Sequence, residues 1–217
     1  MPIFPRSKDK DAAPAPKFGA KRYFFLIGNH FFRLFMLNLL TLLLCLPVVT
    51  IPAALTAASR AALLLLRGGS CMFWEEYRAE LRVNFFRKLL YWLPMALVPV
   101  GLGLWPILLG FGTGTALLVF GAALLLSMLL QCYFFTLVAL IDLPVKINLK
   151  NAAALIFLDW KTALRLLAVL ACTLGLSYGL WPYSLIPAFF LFFSGLILFA
   201  CQQVSAAADK YGLIKKE

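Results

Sequence analysis

Charged residues are scarce in this sequence and are missing altogether from three long segments. Only 13% of the 217 residues are Asp, Glu, Lys or Arg, whereas 63% are hydrophobic. Soluble globular domains are about half apolar, so this composition argues against a soluble domain and predicts an all-α integral membrane protein. The uncharged segments are Leu34–Ser59, Leu89–Ile141 and Leu166–Ala208.

Acidic residues are especially rare, with 9 Asp and Glu against 20 Lys and Arg, for a net charge of +11. In a soluble protein this excess would indicate a nucleic-acid partner. In a membrane protein, the enrichment of Lys and Arg in cytoplasmic loops explains it. We therefore expect no nucleic-acid partner, and we expect the lipid bilayer, including its anionic headgroups, to be the partner of the basic face.

The sequence also lacks the motifs of catalysis and of metal binding. It contains one histidine, His30, and its five cysteines form no CxxC pair. There is no phosphate-binding Gly-Lys loop, no HExxH and no GxSxG. We expect no catalytic, cofactor or metal site and no disulfide. A membrane enzyme acting on lipid or glycan is the least favoured function, because the predicted outer loops carry no charged group for acid–base work.

The uncharged segments predict three helical hairpins. One membrane span needs about 20 apolar residues, and Leu89–Ile141 and Leu166–Ala208 are each long enough for two. We expect about six membrane-embedded helices in a single membrane domain over residues 21–205, with both termini cytoplasmic. Residues 1–20 lack an apolar stretch, so they predict a disordered basic cytoplasmic tail rather than a signal peptide. Residues 206–217 form the predicted C-terminal cytoplasmic tail.

The first hairpin turns at two prolines. Pro47 and Pro52 are predicted to break the helix, because proline lacks an N–H and clashes with the preceding turn. The returning helix, Ala53–Arg67, would be only about 22 Å long at 1.5 Å per residue. Two alternatives stay open: a short tilted span, or one arm of a re-entrant pair that is covered by protein.

The second and third hairpins are predicted from longer uncharged segments. Leu89–Pro106 runs outward to a glycine-rich turn, and Thr115–Ile141 returns. Leu164–Trp181 runs outward next, and Tyr183–Gln203 returns. These boundaries place both turns on the outer side of the membrane.

Ser70–Lys88 is predicted to form an amphipathic helix at the cytoplasmic surface. Phe73, Tyr77, Leu81 and Phe85 recur every four residues and form one apolar stripe. One interpretation is a docking site for a cytoplasmic or membrane partner. The other is a solvated helix that lies on the membrane with its charges balanced. The candidate docking residues are Glu75, Glu76, Arg78, Glu80, Arg82, Asn84 and Phe85.

Arg60 is the sharpest candidate functional residue. An arginine deep in the apolar region costs about 2.5–3.5 kcal/mol on insertion scales. It would pair with Asp142 or Asp159, or face a polar cavity, if it were functional. The alternative is that its long side chain snorkels to the nearby cytoplasmic face.

Polar side chains also mark the first hairpin. Asn38, Thr50 and Thr56, together with Thr41 and Ser59, would line a polar pathway if the chain were a transporter. The alternative is hydrogen bonding between helices, at roughly 0.6 kcal/mol for each bond.

Part of the chain resembles the YesL-like family of bacterial integral membrane proteins, a domain of unknown function. The matching residues are Asn38-Leu39-Leu40, Leu46-Pro47-Val48-Val49-Thr50-Ile51, the small-residue helix Ala53–Ala58 with Thr56, and Asn84-Phe85. The resemblance implies a bacterial plasma membrane location and an association with carbohydrate uptake, and it implies no catalytic residue. We therefore expect a non-catalytic accessory component that binds a sugar ABC importer subunit. The alternative is a self-sufficient small-solute transporter or channel.

Overall fold

The computed structural model describes residues 20–67, 79, 83, 85–110, 112–141, 143–179 and 193–213, and the regular structure within these residues is helical. One 3₁₀ turn, Val48–Thr50, precedes the third helix. Several predicted features lie outside the described residues. They are the N-terminal tail, the predicted Arg60 partner Asp142, and all of the predicted docking residues except Phe85. The helices are α1 Ala20–Asn29, α2 Phe31–Cys45, α3 Ile51–Leu66, α4 Phe85–Leu108, α5 Thr113–Leu140, α6 Val145–Leu158, α7 Trp160–Gly179 and α8 Phe193–Lys210.

Four of the described segments are long and apolar enough to cross a membrane. They are Val48–Leu66, α4, α5 and residues Trp160–Ser177 of α7. Helices α1 and α2 would provide a fifth span if they are counted as one helix that is bent by 88°. The all-helical, membrane-compatible architecture is therefore confirmed. The count of six embedded helices stays a prediction.

Helices α4 and α5 form a long antiparallel hairpin that closely matches the second predicted hairpin. Its turn includes Gly110, which adopts φ +79°, a conformation that glycine tolerates without steric cost. Farther down, Gly103 packs against Phe120 so closely that a Cβ on Gly103 would lie 2.9 Å from the Cβ of Phe120. The two helices approach each other at a position where only hydrogen fits.

Helix α3 occupies the middle of the bundle, where it packs against α2, α4, α5 and α8. Thirteen of its residues are buried, and the remaining three are Ile51, Leu55 and Arg60. Six of its residues are alanines, whose small side chains let neighbouring backbones approach closely. Pro52 lies in the first turn, where a missing N–H leaves no intrahelical bond unmade. The predicted helix-breaking motif thus ends α2 and starts α3.

The chain bends sharply between α1 and α2, next to His30. Tyr23 of α1 donates a hydrogen bond to the Gly195 carbonyl, at 3.2 Å, and its ring makes an edge contact with Phe199. These contacts hold α1 across the side of α8. This aromatic segment lies nearly perpendicular to α2, an orientation that suits a membrane interface.

The third hairpin differs from its predicted boundaries. Helix α7 begins at Trp160, directly after α6, and the described part of the returning helix, α8, continues to Lys210. The boundary predicted at residue 206 therefore falls inside a helix, with Ala207 and Ala208 buried. Contacts with the α6–α7 junction extend this helix: the Tyr211 hydroxyl donates to the Leu158 carbonyl at 2.8 Å.

Candidate functional site

Asn38 joins the first hairpin to the last helix. Its side chain is fully buried on α2, and its Oδ1 accepts a hydrogen bond from the backbone N–H of Ser194, at 3.1 Å. Ser194 lies in the first turn of the described part of α8. The geometry therefore gives Asn38 a helix-to-helix role.

The threonines of the first hairpin bond to carbonyl groups of their own segment. Thr41 donates to Leu37 at 2.6 Å and Thr56 donates to Pro52 at 2.7 Å, which is the i−4 pattern common for hydroxyls in helices. Thr50 donates to the carbonyls of Leu44 and Pro47. These hydroxyl protons are used within the hairpin, which weakens the polar-pathway interpretation.

Ser59, Thr136 and Cys201 form a buried cluster where α3, α5 and α8 meet. The Cys201 thiol donates to the Ser59 carbonyl at 3.5 Å, and its sulfur lies 3.7 Å from the Thr136 hydroxyl. This cluster was not predicted, because its members are far apart in the sequence and each looks like a small packing residue. It fixes the relative height of the three helices.

A cavity of about 100 Å³ lies beside this cluster, between α3, α5, α7 and α8. Gln131 and Thr136 contribute polar atoms, and side chains such as Leu55, Phe135 and Leu170 make most of the wall apolar. Small-molecule sites usually measure about 300–1,000 Å³. The cavity is therefore small for a sugar.

Arg60 follows Ser59 on α3 and is half-buried. It takes part in at least one noncovalent interaction. Of its two predicted partners, Asp159 forms its ion pair with Lys210 instead, at 3.4 Å, and Asp142 lies outside the described residues. Among the described residues, Arg60 is not part of the cavity wall.

A second polar chain connects α4 and α5. The Trp92 indole N–H donates to Gln131 Oε1 at 3.2 Å, and Gln131 Nε2 donates to Ser127 Oγ at 3.1 Å. Ser127 in turn donates to the Met95 carbonyl. Through these bonds Gln131 joins α4 to α5.

Two buried charged residues lie near the α6–α7 junction and at the start of α4. Asp159 is buried at the α6–α7 junction and accepts a hydrogen bond from the Thr162 hydroxyl at 2.7 Å. Lys88, at the start of α4, is only 2% exposed and takes part in at least one noncovalent interaction. Its burial was not predicted, since Lys88 ends the most polar segment of the chain.

Comparisons with known proteins add no functional assignment. The chain matches no protein-family model, no curated protein and no solved structure. Within the described part of the chain, no group of three or more His, Cys, Asp or Glu side chains is placed to hold a metal ion. Any functional proposal therefore rests on the sequence and on the geometry above.

Proposed function

We propose that this protein is a non-catalytic accessory subunit that binds a permease or another membrane component of a carbohydrate-uptake system. The observation that carries the proposal is the position of α3. Helix α3, with its buried alanines and leucines, fills the middle of the described bundle. A transporter would need a pathway for its substrate there. A packed centre supports a role in binding rather than in conduction.

The polar groups of the first hairpin support the same conclusion. Asn38 bonds to α8, and Thr41 and Thr56 bond to their own helix. Bonds of this kind hold membrane helices together. A substrate pathway would instead leave such groups facing a water-filled space.

The link to carbohydrate uptake has a different basis. It comes from the resemblance of Asn38–Phe85 to the YesL-like family, which implies a setting among sugar-importing ABC systems. The partner would bind the segment that precedes α4, where Val83 is 52% exposed. This association is a hypothesis about partnership and does not name a sugar.

Photocrosslinking in living cells tests the proposal. A photoreactive residue at Val83 is expected to capture a membrane transport subunit, whereas the same residue at Leu109, 58% exposed in the turn after α4, is the control. The captured partner should also co-purify in mild detergent, and deletion of the gene should slow sugar uptake. The proposal would be contradicted if the protein purifies alone and monodisperse, if Val83 and Leu109 crosslink equally, and if sugar uptake is unchanged by the deletion.

A self-sufficient transporter is the second candidate, and the position of Arg60 favours it. This half-buried cation adjoins Ser59, which lines the cavity. Purified protein in liposomes would then conduct a small solute, and Arg60→Ala would abolish the flux while the exposed Arg67→Ala would not. Liposomes that stay tight to all tested sugars would exclude this alternative for those substrates.

A further inference from the structure

The first hairpin is much shorter than the second, and internal contacts give their relative heights. The Cys201 sulfur touches both Ser59 of α3 and Thr136 of α5, so these two residues lie at about one level. From that level, α3 extends about 12 Å to its start at Ile51, whereas α5 extends about 34 Å to its start at Thr113, at 1.5 Å per residue. Helix α5 therefore projects about 20 Å beyond the turn between α2 and α3.

The charged side chains closest to the bilayer centre lie at nearly the same level as Ser59 and Thr136. They mark the cytoplasmic boundary of the hydrocarbon core. Arg60 adjoins Ser59, and Lys88 lies one turn before Trp92, which bonds to Gln131 of α5. Arg165 lies a little more than one turn before Leu170, which lines the cavity with Gln131. Charged groups avoid the hydrocarbon interior, so the bilayer core begins near Thr136.

Measured from this boundary, the two turns lie at different depths. The hydrocarbon core is about 30 Å thick. The tip of α4 and α5, about 34 Å away, reaches the outer interface. The start of α3, about 12 Å away, lies near the bilayer midplane.

The composition of the α2–α3 turn fits a position inside lipid. Turns in water are rich in Gly, Asn, Asp and Ser, but this turn reads Leu-Pro-Val-Val-Thr-Ile-Pro. Leu46, Val48 and Val49 are 77%, 63% and 52% exposed. Such a surface suits acyl chains better than water.

Part of the backbone of the turn is paired within the turn, which lowers the cost of placing it in lipid. Its one polar side chain, Thr50, donates to the carbonyls of Leu44 and Pro47. The backbone N–H groups of Leu46 and Thr50 donate to Leu43 and Pro47, at 3.3 and 3.0 Å. These bonds satisfy several polar groups that water would otherwise hydrate.

We infer that α2 and α3 form a re-entrant hairpin, which enters from the cytoplasmic side and turns in the middle of the bilayer against lipid acyl chains. Both ends of the hairpin then lie on the cytoplasmic side, and neither helix crosses the membrane completely. Helix α3 would be shielded by α5 and α8 along its length, as re-entrant backbone requires.

Spin labels on the full-length protein in liposomes test this inference. The native cysteines are replaced, and single labels are introduced by V49C in the turn, V98C on the exposed face of α4 at a similar height, and G112C at the outer tip. Collisions with oxygen report lipid, and collisions with a water-soluble nickel complex report water. We expect V49C to match V98C, with strong oxygen and weak nickel relaxation, whereas G112C shows strong nickel relaxation.

Two outcomes would overturn the inference. If V49C shows nickel relaxation equal to that of G112C, the turn reaches water and the hairpin crosses the membrane. If V49C is protected from both reagents while V98C remains open to oxygen, protein rather than lipid covers the turn. Retention of the fold is checked by the elution profile of each labelled variant.

Discussion

Asn38 shows how one amide can connect helices that the sequence separates by more than 150 residues. The substitution Asn38→Leu keeps the size of the side chain and removes the acceptor for the Ser194 N–H. We expect a loss of about 1–1.5 kcal/mol, near the upper end for membrane hydrogen bonds. Unfolding in mixed detergent micelles measures the change.

Thr41→Val is the matched control for Asn38→Leu. Thr41 is equally buried on α2, but its hydroxyl bonds to the Leu37 carbonyl, which also belongs to the helical ladder. The free energy of unfolding should therefore change little. Equal losses in the two variants would show that Asn38 has no special role between α2 and α8.

Gly103 offers a test of packing at the same scale. In Gly103→Ala the new methyl group would lie 2.9 Å from two side-chain carbons of Phe120. Because one of these is the fixed Cβ, the helices must separate, and overpacking of this kind costs about 1–3 kcal/mol. Gly101→Ala, with open space around its Cβ position, should leave the unfolding free energy nearly unchanged or raise it slightly. Equal stability of the two variants would mean that α4 and α5 are more loosely packed than described.

At the scale of elements, Asp159 links three helices. It lies where α6 ends and α7 begins, accepts a bond from Thr162, and pairs with Lys210 at the end of α8. Asp159→Ala removes these interactions and should cost about 1.5–3 kcal/mol, the range for hydrogen bonds to charged groups. Thermal unfolding in detergent measures the loss.

Two further variants separate the hydrogen bond with Thr162 from the charge. The Asn side-chain oxygen can also accept a bond from the Thr162 hydroxyl, so Asp159→Asn should retain most of the stability. Lys210→Ala should change it little, because exposed ion pairs contribute weakly and the Lys210 side chain is 61% exposed. A large loss in Lys210→Ala would show instead that the ion pair holds α8.

The sequence predicted best the helices whose apolar length is set by the thickness of the bilayer. The α4–α5 hairpin was expected from Leu89–Ile141 and has nearly those bounds, because uninterrupted apolar length is a strong signal. The central position of α3 was harder to foresee. Its alanines permit close packing, but the sequence does not tell which partners approach.

Other features depended on contacts that no local pattern encodes. The bend next to His30, the burial of Lys88 and the extension of α8 to Lys210 each follow from tertiary packing. Among the candidate site residues, Asn38 is fully buried between helices. The alternative to a polar pathway was hydrogen bonding between helices. Asn38 makes such a bond, whereas the threonines bond within their own segment.

For the whole molecule, the distribution of charge predicts the orientation in the membrane. The described cations lie on α2 before its apolar part, on the inner half of α3, at the start of α4, on α6, on the first half of α7 and at the end of α8. The described part of the α4–α5 turn carries none. Since Lys and Arg favour the cytoplasmic side, this end of the bundle should face the cytoplasm.

Reporter fusions test this orientation on the intact chain. Green fluorescent protein joined after the last residue should fluoresce, and alkaline phosphatase at the same site should be inactive, because it needs the oxidising outer compartment for its disulfides. Alkaline phosphatase inserted at Gly112 should be active, since the α4–α5 tip would face outward in this orientation. Active phosphatase at the C-terminus together with an inactive insertion at Gly112 would invert the topology. In that case the basic end would face outward, and a partner that reaches the segment around Val83 would have to bind from outside the cell.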